Sequence, residues 1–403
     1  MKVKTGFVVL FILLLVPFTV QAQSPFNDVP EHHWGIEEIG FLAEEGIVAG
    51  TGGGNFSPQA PVTRAQVAVM LVRALNLGGE AATQPSYNDV DETTFGYHAI
   101  SVLTDRGVFA DGEAFHPTRS ITRAEMARVI AGAFKLTGQN EFQFADVERN
   151  HWAAPSVRAI AKNGVMAGNT EAQFLPSQPM TRAEFSASLA RAINEDYKID
   201  ADSIIEESII RVAKTNVEKL EEIFRSPELH GPPRAQYSVV RPVIADYATT
   251  SYAFGHLYRH YQEMCSNCDE MLYGDTNGFN VRAKAEAFSV NSVRVETIII
   301  GNELHDPKFF TVDLRPDDGK YRIHQSNLTA VEGAGFALTQ VETRAVVREF
   351  AASYYTSPAI HTQLVNITTP EPYNYEMHDY QVTLNNGETH YVAVDTRNGF
   401  ITY

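Results

Sequence analysis

Cysteine is almost absent from this chain, with two in 403 residues, so a fold stapled by a disulfide framework is excluded. Positive charge is also scarce. Thirty-two Lys and Arg face 49 Asp and Glu, a net charge of -17. That balance argues against nucleic acid as a partner, while leaving room for local basic pockets. Long apolar runs are missing too. The one run that stands out, Phe7 to Val16, is too short for the ~20 residues of a spanning helix. It follows Lys2 and Lys4 and precedes Val20-Gln21-Ala22, the pattern of a signal peptide over residues 1–22. The mature chain is therefore expected to be secreted, with no membrane insertion after cleavage. No Gly-x-Ser-x-Gly, His-Glu-x-x-His or phosphate loop is present, and no cofactor is called for.

What is abundant is repetition. Thr63-Arg64-Ala65-Gln66, Thr122-Arg123-Ala124-Glu125 and Thr181-Arg182-Ala183-Glu184 recur at a period of 59 residues. Each is preceded by an aromatic-x-Asp-Val segment: Phe26 to Val29, Tyr87 to Val90 and Phe144 to Val147. Six residues after each Asp stands an aromatic, Trp34, Phe95 or Trp152. A helical stretch then ends at Gly46, Gly107 or Gly164, sites for a left-handed cap. A loop closed by Phe56-Ser57-Pro58, Phe115-His116-Pro117 or Phe174-Leu175-Pro176 leads into the Thr-Arg-Ala box. Thr with Glu or Gln three residues on is a capping box, and the apolar stripe behind it predicts an amphipathic helix. Each copy thus reads as helix, loop, helix, and three copies at a fixed period are expected to share one core. Residues 78–86 and 137–143 read as linkers between them.

These ordered motifs closely resemble those of the S-layer homology (SLH) family, with repeats over residues 25–77, 86–136 and 143–195. The resemblance implies an all-α, pseudo-trimeric domain that holds proteins non-covalently on the cell wall. Its usual ligand is a secondary cell-wall polysaccharide carrying pyruvate ketals, and its implied setting is the cell surface, with self-assembly into a surface layer. The chemistry of the residues is consistent with that. A ketal presents a carboxylate, and a helix N-terminus with a guanidinium beside it suits an anion. The expected polysaccharide-binding residues are Arg64, Arg123 and Arg182, with Trp34 and Trp152 as sugar platforms. Asp28 and Asp146 would accept hydroxyl protons or hold the Arg, and Gly50 and Gly168 would admit ligand to the backbone. Capping alone explains the Thr and Glu, but not the recurring Arg. The second copy carries Phe95 for Trp, Asp111 in place of glycine and a loop two residues shorter, so its pocket is expected to be weak.

Residues 200–403 read as an α+β domain with antiparallel sheet and no assigned task. Ile204 to Phe224 is helical, with Ile205, Ile209, Val212, Asn216, Leu220 and Ile223 on one face. A Tyr-rich helical segment follows, from Val239 to about Leu272. Strands are expected in Phe288 to Ile300 and in two hairpins, around Asp317-Asp318-Gly319 and Asn385-Asn386-Gly387. A helix over Gln340 to Tyr355 lies between the hairpins. The two halves faintly resemble nuclear-transport-factor-2-like and PepSY modules respectively. Cys265 and Cys268 read first as a local disulfide. With His256 and His260 they form an alternative zinc set, and plain packing is the third reading. The functional reading is a wall-anchored binding or structural protein; the rival is a wall-associated enzyme with its catalytic domain in residues 200–403.

Overall fold

The computed structural model describes residues 24–403 except 111, 231–234, 265–271, 274–275, 290, 302–305, 332–334 and 371–374. The signal segment 1–22, Asp111 and the Cys265/Cys268 pair lie outside the described residues. No helix among the described residues is long and apolar enough to cross a membrane.

Each copy of the repeat contributes two helices: α1 (Ile36–Glu44) and α2 (Arg64–Ala74), α3 (Tyr97–Asp105) and α4 (Arg123–Phe134), α5 (Ala154–Lys162) and α6 (Arg182–Ile193). The second helix of each pair starts on a complete capping box. The side chains of Thr63, Thr122 and Thr181 accept the amide of the residue three on, and Gln66, Glu125 and Glu184 reach back to the cap amide. The first helices have no side-chain cap and are held by burial of their apolar stripe, Ile36, Ile39 and Leu42 in α1. They end where Gly46, Gly107 and Gly164 take φ values of 68°, 69° and 68°, a region that costs a residue with a Cβ.

The residues just before the second helices interlock in a ring. The Val62 amide donates to the Met180 carbonyl at 2.9 Å, Met180 to Ile121 at 2.9 Å, and Ile121 back to Val62 at 3.1 Å. All three side chains are fully buried, so the ring sits in the shared core. Each copy satisfies its orphan backbone groups with the next, which is why a single copy would leave buried donors unpaired.

Beyond the repeats, α7 (Ala201–Phe224) is capped by Asp200, whose side chain accepts the Ser203 amide. Its buried face runs Ile205, Ile209, Ala213, Val217, Leu220 and Phe224, with Asn216 also buried. Val212 and Ile223 are only half-buried, so the seam lies slightly rotated from the expected one. The helix packs on a four-stranded antiparallel meander, β1 (Ala283–Ser289), β2 (Ser292–Ile299), β3 (Lys308–Asp317) and β4 (Lys320–Ala330). The helix Gln340–Tyr354 precedes and packs on a second meander, β5 (Ala359–Thr368), β6 (Met377–Leu384), β7 (Thr389–Asp395) and β8 (Ile401–Thr402). One hydrophobic cluster runs from the repeats through α7 into the first sheet. A separate one lies between the Gln340–Tyr354 helix and the second sheet.

The third copy of the repeat is joined to the first sheet by polar contacts as well. The Tyr321 hydroxyl donates to the Gln143 carbonyl at 2.5 Å, and Gln173 Nε2 donates to the Gly319 carbonyl at 2.7 Å.

Candidate functional site

The three arginines do not reach into their own copies. Arg64 Nε donates to the carbonyl of Phe115 at 2.7 Å, Arg123 Nε to that of Phe174 at 2.6 Å, and Arg182 Nε to that of Phe56 at 2.8 Å. Each guanidinium also lies over the ring of the same phenylalanine, at 4.5, 4.9 and 4.5 Å respectively. The Arg of one copy is therefore a brace on the loop of the next, and Arg182 closes the circle on the first. Arg123 Nη2 and Arg182 Nη2 add bonds to the Ala167 and Ala49 carbonyls. Burial is deep: Arg182 is 6% exposed. Desolvation pushes the pKa of all three below the usual arginine value, opposed by nearby carboxylates.

This answers what capping left open. The recurring Arg is used in joining copies, and three junctions emerge, each shared between two copies. The loop of copy one carries Arg182, that of copy two Arg64, and that of copy three Arg123.

The aspartates tie the loops. Asp28 accepts the Phe56 and Ser57 amides at 2.6 and 2.8 Å, and Asp89 accepts those of Phe115 and His116 at 2.7 and 2.8 Å. Asp146 does the same for Phe174 and Leu175, at 2.7 Å each. For Asp28 and Asp89, burial opposes ionisation but the amides outweigh it, and both pKa values fall below the usual range. Gly50 and Gly168 are small for a local reason. A Cβ would stand 2.7 Å from the Asn55 carbonyl oxygen at Gly50, and 2.5 Å from that of Gln173 at Gly168. Their own loops fold over them.

The aromatics, unlike the arginines, face solvent. Trp34, Phe95 and Trp152 are 56, 65 and 55% exposed, one per copy at the same place. Trp34 stacks on His33 and Trp152 on His151, each at 5.5 Å. His33 Nδ1 accepts the Gly35 amide and His151 Nδ1 the Ala153 amide, so the histidines fix the turn that presents the indole. The expected binding set omits these histidines, which recur before the indoles as part of the family resemblance, and the Phe-x-Pro rings and carbonyls that receive the arginines. Their recurrence in the repeat was the available signal.

Of the alternative zinc set, Cys265 and Cys268 lie outside the described residues, and the two histidines have aromatic neighbours. His256 stacks on Tyr252 and His260 packs edge-on to Phe224. No cluster of three potential metal ligands occurs among the described residues.

Residues 25–68, 86–127 and 143–186 match the S-layer homology domain. An S-layer protein of Bacillus thuringiensis subsp. finitimus is 30% identical over 174 residues, 42% of this chain and 21% of that protein. S-layer protein sap of Bacillus anthracis is 28% identical over 200 residues, 49% of this chain and 24% of the relative. An endoglucanase of Bacillus sp. (strain KSM-635) is 30% identical over 195 residues, 45% and 20%. The chain thus spans about a fifth to a quarter of the length of these curated relatives. The repeats and the S-layer relatives indicate a location at the cell surface, on the cell wall. The first half of this chain is a run of three S-layer homology repeats.

Proposed function

We propose that the three repeats form one pseudo-trimeric, all-α anchoring domain that holds an exported protein on the cell wall. The ring of hydrogen bonds between Val62, Ile121 and Met180 supports the threefold reading. The ligand is a secondary cell-wall polysaccharide bearing pyruvate ketals, bound where adjacent copies meet. The binding set is Trp34 with Asp28, Gly50 and Arg182 on the first loop, and Trp152 with Asp146, Gly168 and Arg123 on the third. Arg64 serves the loop of the second copy. The aspartates, glycines and arginines build the loop and supply its field, while the exposed rings take the sugar face. The α+β region, residues 200–403, is displayed outward as a binding or structural module, and copies assemble at the surface.

The observation that carries this reading is that copies one and three each present a solvent-facing indole and each have a loop braced by a buried guanidinium from a neighbouring copy. A bare apolar ring at the surface gains nothing for folding, whereas a sugar ring stacked on it buries apolar area on both sides. That relatives with unlike printed names, S-layer protein and endoglucanase, match this chain supports an anchoring role that is independent of what is anchored. The test is co-sedimentation of the secreted chain with purified walls, before and after extraction of the secondary polysaccharide. Binding that survives extraction would refute the proposal.

A further inference from the structure

Resting on that reading, we infer that the three clefts are unequal and that the strongest acidic-sugar site is the one between α6 and the loop of the first copy, with Gln66 as the residue that decides it. In the other two clefts the guanidinium meets a carboxylate from the capping box of the neighbouring copy. Arg64 Nη1 lies 3.7 Å from Glu125 Oε1, and Arg123 Nη1 lies 3.6 Å from Glu184 Oε1. The matching position opposite Arg182 is Gln66. Its Oε1 accepts the Thr63 amide at 3.0 Å, so the cap is complete, but the counter-charge is gone. Arg182 is therefore a buried cation held by two carbonyls and the neighbouring ring, with Asp28 the acid that acts on it. A carboxylate arriving here gains attraction that in the other clefts the protein's own carboxylate already takes.

Access separates the clefts further. The third loop is covered by the turn between β3 and β4: a Cβ on Gly319 would sit 3.6 Å from Asp146 Cβ, and Gln173 of that loop bonds to the Gly319 carbonyl. The first loop is exposed from Thr51 through Asn55. The second cleft is intermediate. Glu125 stands beside Arg64 but is itself gripped by Arg119, at 2.5 and 3.2 Å, and the exposed ring there is Phe95 in place of an indole. With Glu125 neutralised, Arg64 and Arg119 would share one cleft without a capping-box acid.

The test is isothermal titration of the mature chain with a soluble saccharide bearing one pyruvate ketal. The wild type is expected to bind one equivalent tightly, with the other clefts about tenfold or more weaker. Gln66→Glu, which installs the capping box of the other copies, should weaken binding by about tenfold or more. Glu125→Gln should raise the number of tight equivalents from one to two. Unchanged affinity in Gln66→Glu, an unchanged number of tight equivalents in Glu125→Gln, or three tight equivalents in the wild type overturns the inference while leaving anchoring intact. No binding by any form overturns the anchoring reading itself.

Discussion

Arg182 and Phe56 stand 126 residues apart in sequence, yet the guanidinium Nε donates to the Phe56 carbonyl at 2.8 Å and lies 4.5 Å from the centre of its ring. This contact joins the last copy of the repeat to the first and turns a linear array into a closed one. Ordinary solenoid repeats contact only their neighbours along the chain and leave two ends to be capped. Here the ends cap each other.

Replacing Arg182 by Ala is therefore expected to destabilise the repeats by about 2–4 kcal/mol, because two buried carbonyls lose their donor and a packed side chain is removed. Lys should rescue little, since it cannot bond two carbonyls and stack as a plane at once. Denaturant unfolding of the three proteins measures this. A loss below about 0.5 kcal/mol for Ala would show that the brace is not structural.

The aspartates give the repeats an acid limit. The folded pKa of Asp28 and Asp89 is depressed below the ordinary 3.8 by the loop amides, after burial has opposed it. Groups of this sign contribute stability that is present above the unfolded pKa and lost as pH falls through the folded one. Melting temperature should accordingly fall on acidification below pH ~4, and Asp28→Asn should flatten that slope while lowering the plateau at neutral pH. A variant with an unaltered acid slope would contradict the assignment.

Glu342 sets a second, separate acid transition. Hydrogen bonds from Arg282 are the largest cause that holds its pKa down to about 2, with the Thr339 cap adding to it. The sign is the same: stability in the second core is full above 4.5 and drains as pH falls toward 2. Glu342→Gln should remove that dependence, read as amide exchange in the Gln340–Tyr354 helix against pH. Exchange that depends on pH as in the wild type would exclude the pair as its cause.

The chain has two tryptophans, Trp34 and Trp152, and both are exposed. Its intrinsic emission should be that of solvated indole and should shift to the blue when a sugar covers either ring. Trp34→Ala is expected to change stability by less than about 0.5 kcal/mol and yet reduce wall binding strongly, with Trp152→Ala the milder of the two for binding. A large stability loss in Trp34→Ala would return the indole to the core.

The repeats were legible because their signals are local. Capping boxes, the apolar stripe behind them and the glycine ends each lie within one turn or two of helix, and the helices appear where those signals stand. The partner of each Arg was not legible. A period of 59 residues says that Arg64, Arg123 and Arg182 are equivalent, but not that each leans on the next copy. The consequence matters for the second copy: its short loop and Phe95 are served by Arg64, so Arg64, and not Arg123, belongs to the cleft with the substituted ring. Asp28 is expected to accept a sugar hydroxyl or hold the Arg, and its spacing does not reveal that it bonds amides 28 and 29 positions on.

In the second half, α7 and both hairpins follow from pattern, while β1 and β5 do not. The β1 stretch Ala-Lys-Ala-Glu-Ala-Phe-Ser pairs charge with alanine, which has little strand preference. Strand β5 carries two register shifts, between Ala359 and His361 and between Leu364 and Asn366, which break its period of two and leave Ile360 and Val365 outward. Bulges on an edge strand are a known guard against edge pairing, so the same feature that hides the strand from the sequence protects it from adding a neighbour.

The most direct measurement is co-sedimentation of the mature chain with purified cell walls whose polysaccharide has had only its pyruvate removed, beside untreated walls. The account predicts that the chain pellets with untreated walls and stays in solution with depyruvylated ones. Equal pelleting with both would contradict it, because the acid group of the sugar would then contribute nothing to binding.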